Sequence, residues 1–164
     1  DPQVAPVTAQ ALIDIRVAAA VHFRIEAGPL VLTDGAVIGM GHLGQAITKY
    51  FNSKGLKLRI VTAFDIDPEK VGSTIDDIPC YHMNQFEEVV SSMDISIVVI
   101  SSPTRVAPTL VVPIINAGIK GVLNFTSAPL HFPQGIVSEN YDITTILEKI
   151  AYFVKEGDEG SDKS

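Results

Sequence analysis

At 164 residues the chain has room for one well-buried domain and not for two ordinary ones. A net charge of −7 and a pI of about 4.9 argue against a nucleic-acid surface on these residues. No apolar run approaches the roughly 20 residues of a membrane span, and the single cysteine, Cys80, excludes an internal disulfide.

Hydrophobic residues make up 46% of the chain and the mean hydropathy is +0.29, so the apolar excess must enter a core or a subunit interface. The N-terminus carries no basic stretch followed by an apolar one, and a cytoplasmic, reducing location is expected.

Residues 1–30 read as an N-terminal helical segment, because Leu12, Ile15, Ala19, Ala20 and Phe23 recur at helical spacing until Gly28-Pro29 ends the pattern. The main domain is expected over residues 31–155. Its first strand covers Leu32 to Ile38, with Asp34-Gly35 making the start irregular. A helix over Leu43–Asn52 and a second strand over Lys57–Asp65 follow, and Asp67-Pro68-Glu69-Lys70 opens a helical turn with proline at a first-turn position.

A third strand is expected at Ile78–His82, a helix at Gln85–Met93, and a fully buried strand at Ile95–Ser101, which is apolar without alternation. The crossover Thr104–Asn116 contains Pro108 and Pro113. Each interior proline costs about 3 kcal/mol, so this helix is expected to be kinked or to start late. It has almost no polar face, which implies burial within the monomer or at an interface. Strands at Lys120–Phe125 and Ile136–Asn140 precede a final helix from Asp142 to Lys155, and the acidic tail 156–164 reads as disordered from its composition. Strand and helix alternate throughout. The expected fold is α/β, a Rossmann-like parallel sheet with helices on both faces.

One motif carries chemistry. The first strand runs into Gly39-Met40-Gly41-His42-Leu43-Gly44, and Asp65 ends the next strand. In a G-x-G-x-x-G turn the first glycine permits the tight bend, and the second lets a pyrophosphate approach the backbone. The third lets the helix pack close, and the terminal acid receives the ribose hydroxyls. The helix then begins where free N–H groups and the dipole favour an anion.

Several longer blocks resemble one family. Gly39 to Ala46, Ala63-Phe64-Asp65-Ile66-Asp67-Pro68-Glu69-Lys70-Val71-Gly72, Ala117 to Phe125, and Pro133 to Val137 are similar to the Rex family of redox-sensing transcriptional repressors. The resemblance extends through Glu139-Asn140 into Leu147–Phe153. It implies an NAD(H)-binding domain, non-catalytic, that senses the NADH/NAD+ ratio. It also implies a homodimer that exchanges its final helix, and DNA contact only through a winged-helix domain that does not fit in the residues before Gly39.

The cofactor-binding residues implied are Gly39, Met40, Gly41, His42, Leu43, Gly44 and Asp65. The nicotinamide pocket is matched by Ser101, Ser102, Pro103, Asn124, Phe125 and Thr126, with Tyr152 reaching across from the partner subunit. His42 stands where that family usually has asparagine, and the apolar Val111, Val112 and Pro113 replace charged residues of its crossover helix.

Other residue types carry less. His22, His42, His82 and His131 are scattered and show no metal-ligand spacing. Cys80 reads as a small buried apolar residue, and Asp76-Asp77 as solvated surface charge. Two alternatives share the fold. An NAD-dependent oxidoreductase would need a group to protonate an alkoxide, and no Tyr-x-x-x-Lys occurs. A CoA-type domain would lack the Phe-Asp-x-Asp-Pro-Glu-Lys block.

Overall fold

Apolar residues of the central strands divide between two cores. The structure is a computed structural model that describes residues 33–54 and 57–161. Ala36, Ile38, Val98 and Ile100 face one core, while Val37 and Val99 face the other. This is the two-residue period of a pleated strand. Both sets are apolar because helices cover both faces.

The elements run β1 (Thr33–Ile38), α1 (His42–Ser53), β2 (Leu58–Asp65), β3 (Thr74–Ile75), β4 (Ile78–His82), α2 (Phe86–Met93) and β5 (Ile97–Ile100). After these come α3 (Val111–Asn116), β6 (Gly121–Asn124), β7 (Val137–Asn140) and α4 (Ile143–Ser161). The sheet order is β3-β4-β2-β1-β5-β6-β7. All neighbours are parallel except β3 and β4. The chain thus builds outward from β1 to β4, then crosses back to β5 on the other side of β1. Loops leaving β1 and β5 diverge at this switch point, where open α/β sheets bind ligands.

The expected strands and helices are present within a residue or two at most of their ends. The irregular start of β1 is a register shift between Gly35 and Ala36. The crossover helix starts late: a 3-10 turn at Ala107–Leu110 holds Pro108, and the α-helix begins only at Val111. Leu110 and Ile114 are buried, whereas Val112 is 63% exposed, so the described fold covers only part of this apolar helix.

The helical turn expected after Asp67 is present, with the Lys70 and Val71 N–H groups both donating to the Asp67 carbonyl at 3.0 Å. Asp76 and Asp77 are exposed, as expected of surface charge, and they also form the two-residue hairpin loop joining β3 to β4, with φ of 49° and 65°. Positive φ at both central positions is the pattern of a type I′ turn, which aspartate tolerates. One expectation needs correction: α4 continues through Ser161, so residues 156–161 are helical where composition suggested disorder. A helix already nucleated adds residues at little cost, and no proline stops it. The N-terminal helical segment, residues 1–30, lies outside the described residues.

Candidate nucleotide-binding site

Gly39 leaves β1 with φ +97°, and its N–H donates to the Phe64 carbonyl at 2.8 Å. A Cβ there would sit 2.7 Å from the Ser102 nitrogen. Gly44 lies under the same turn, and a Cβ on it would collide with the Gly39 carbonyl oxygen. Gly41 differs: a Cβ would meet nothing within 4 Å. Two glycines therefore exist for packing, and the middle one keeps open a backbone surface that a ligand can approach. Gly41 is also the N-cap of α1, with no side-chain cap and no acid in the first turn. The helix N-terminus is electrostatically free for an anion.

Asp65 closes the site from β2. One carboxylate oxygen, Oδ2, accepts the Met40 N–H at 2.8 Å, while Oδ1 accepts those of Ile66 at 2.7 Å and Asp67 at 3.0 Å. Burial works to raise its pKa. The N–H donors of Asp67, Met40 and Ile66, with the charge of Lys70, outweigh that and hold the carboxyl below its ordinary 3.8. Lys70 itself lies 3.9 Å from Asp67.

These residues line a cleft of about 490 Å³ over the C-terminal ends of β1, β2 and β5. Of the residues singled out in the sequence, Gly39, Gly41, Asp65, Ser101, Ser102 and Pro103 line it. Ser101 donates its hydroxyl to the Gly39 carbonyl at 2.8 Å and so holds the two loops together.

The remaining candidates are placed elsewhere. Met40 turns its side chain into the core and contributes its N–H to Asp65. His42 is exposed at the start of α1, Leu43 packs half-buried on the α1-side core, and Gly44 supports the turn. Asn124 is 1% exposed. Its amide donates to Ala128 and Asn140, and its oxygen accepts from both the N–H and the hydroxyl of Thr126. Phe125 is buried against Tyr141. Tyr152 is exposed on α4, its hydroxyl donating to Glu156 at 2.6 Å, which raises the pKa of the phenol. None of these side chains is among those lining the cleft.

Sequence reasoning missed the apolar floor, made by Phe64, Met83, Val106 and Leu110, and the two cations, Lys70 and Arg105. Their positions after β2, β4 and β5 mark them in retrospect, since those strand ends converge at the switch point.

A doubly wound sheet with an open glycine turn at a helix N-terminus and an acid ending the second strand is a Rossmann-type nucleotide-binding domain. The sequence matches the family described as CoA binding domain over residues 32–128. The redox-sensing transcriptional repressor Rex of Listeria welshimeri is 41% identical over 123 residues, 75% of this chain and 57% of that protein. That of Anoxybacillus flavithermus is 38% identical over the same shares. The crystal structure of RSP in complex with β-NADH has a TM-score of 0.71 and 26% identity, covering 80% of this chain and 64% of that one. RSP in complex with β-NAD+ and operator DNA gives 0.73 and 26%, covering 79% and 60%. The chain belongs to the CoA-binding domain family, as a domain of the Rex type. It spans about 57% of the length of the curated relatives it matches.

Proposed function

We propose that this domain binds NAD(H) in the cleft and reports the NADH/NAD+ ratio as the regulatory part of a transcriptional repressor. The observation that carries this reading is the pairing of Asp65 with Gly41. A carboxylate fixed by three backbone N–H groups stands beside the one glycine of the motif whose surface is open. Asp65 receives the adenosine ribose hydroxyls, and the pyrophosphate lies on Gly41 and the N-terminus of α1. The nicotinamide extends toward Ser101, Ser102 and Pro103. Asn124, Phe125 and Thr126 support that side from behind, and Tyr152 covers it from the exchanged helix of a second copy.

The reading is regulatory rather than catalytic. Hydride transfer needs a proton donor at the nicotinamide end, whereas Asp65, Asp67 and Lys70 all belong to the ribose end of the cleft, after β2. The ring of NAD+ is charged and that of NADH neutral, so enclosing them costs different amounts. A partner helix that closes over the ring converts that difference into a bias on subunit orientation. Operator binding is assigned to a winged-helix domain outside residues 33–161.

The family's description favours CoA as the second reading. CoA carries a 3′-phosphate on the ribose that Asp65 addresses, and the carboxylate repels it. Calorimetric titration with NADH, NAD+, NADPH and CoA tests both. NADH binding at least about tenfold tighter than NADPH or CoA is expected, and a preference for CoA overturns the assignment.

A further inference from the structure

Parallel strands are normally covered on both faces. On the side of α2 and α3, the half of the sheet made by β5, β6 and β7 is sealed by Ile114, Ile119 and Leu130, all buried. On the opposite side, among the described residues, α1 packs over β1 and β2, and α4 contributes Ile143 alone. The first residues of β5, β6 and β7 stay open there. Register places Gly35, Ile97, Gly121 and Val137 in one row across four strands. Val137 is 68% exposed, and Ile97 is half-buried, as is Leu123 on the same face of β6. The three atoms nearest a Cβ on Gly121 all belong to Ile97, the closest at 3.2 Å. Its neighbour is thus the adjacent strand and not a layer above it. The result is a shallow apolar trough beside α1, on strands whose kind is otherwise buried.

We propose that residues 9–27 of this chain form a helix that fills the trough, laying the stripe Leu12, Ile15, Ala19 and Phe23 on Ile97, Leu123 and Val137. Position favours this occupant. Ile97, Gly121 and Val137 open their strands, and β1 opens at Thr33 at the same end of the sheet. Reach allows it. Residues 28–32 span at most about 17 Å, while β6 stands two strand spacings from β1, about 10 Å, under a layer about 10 Å above the sheet. A helix over residues 9–27 is about 28 Å long, enough to cross three strands. Charge agrees as well. Glu139, one row further on the same face, is exposed with no ion pair among the described residues, and Arg16 borders the apolar stripe. The chain's own α4 leaves β7 at the other end of the sheet and shows its apolar positions to water. This inference goes beyond the nucleotide reading and does not depend on it.

Amide hydrogen exchange on the whole chain, together with thiol labelling, tests the proposal. In the unaltered protein, residues 12–23 are expected to exchange at least about tenfold more slowly than an unfolded peptide. Val137→Asp puts a charge in the trough at an exposed edge position, and is expected to remove that protection while β1 and β5 keep theirs. Phe23→Asp is expected to do the same from the other side of the contact, with the sheet itself untouched. Val137→Cys is expected to react with a thiol reagent at least about tenfold more slowly alone than in combination with Phe23→Asp. Residues 12–23 that exchange like an unfolded peptide overturn the proposal. So does protection that survives both Val137→Asp and Phe23→Asp, because it places the segment elsewhere. If the Val137→Cys thiol is shielded only at dimer-forming concentrations and is freed by deleting residues 146–164, α4 of a second copy fills the trough and the proposal falls.

Discussion

The Asp65 carboxylate accepts the Met40 N–H at 2.8 Å, which ties the end of β2 to the centre of the glycine turn 25 residues earlier. One side chain therefore sets the shape of the turn and presents charge to a ligand. Removing it has two separable consequences. Asp65→Ala orphans three backbone donors and is expected to lower stability by roughly 2 kcal/mol, and to erode discrimination against NADPH. Denaturant unfolding measures the first effect and calorimetric titration the second. The pH dependence follows from the sign of the shift. The folded pKa lies below the ordinary 3.8, so the contribution is complete above that value and is lost as pH falls through the folded one. Asp65→Asn is expected to flatten this acid limb of the stability profile.

The three glycines of the turn predict three different outcomes. Gly41→Val adds a side chain where nothing lies within 4 Å. The protein is expected to fold with an unchanged circular dichroism spectrum and to lose NADH fluorescence enhancement. A folded Gly41→Val variant that still binds NADH places the pyrophosphate elsewhere. Gly44→Ala strikes the Gly39 carbonyl and is expected to cost at least about 2 kcal/mol of stability through overpacking. Gly39→Ala adds positive-φ strain to a backbone collision and is expected to abolish soluble expression.

Asn124 joins β6 to β7 through Asn140 at 2.8 Å while also ordering Thr126. Asn124→Leu leaves buried polar partners unsatisfied and is expected to cost about 3 kcal/mol, read as a lower thermal midpoint. If stability is unchanged while NADH affinity drops, Asn124 acts on the ligand directly and not through the loop.

Along α4, Leu147, Ile150, Phe153 and Val154 are all more than half exposed, between 51% and 61%. A helix that shows water this much apolar surface requires a partner. Sedimentation is expected to give a dimer for the whole chain and a monomer after deletion of residues 146–164, with weaker NADH binding. A truncated protein that stays dimeric with full affinity removes α4 from both the interface and the pocket.

The sequence by itself determined the strand–helix alternation, the glycine turn and the acid that answers it. These are local: each depends on neighbours within one element or on the spacing between two consecutive strands. It placed Asp76-Asp77 at the surface, where they are exposed, but not in a hairpin, because a two-residue loop beside a two-residue strand leaves almost no periodicity to detect. The motif already divided the glycines by task, and the tertiary structure supplied the clearances behind that division, since the open space at Gly41 and the collision at Gly44 depend on where α1 and β5 lie. It alone moved Asn124 into a buried network and brought Lys70, Met83 and Arg105 around one cleft. Those residues follow three different strands, and their convergence comes from the order in which the sheet is assembled. Periodicity along the chain reports which face of an element is buried. It does not report which strand ends become neighbours, because that is fixed by long-range pairing.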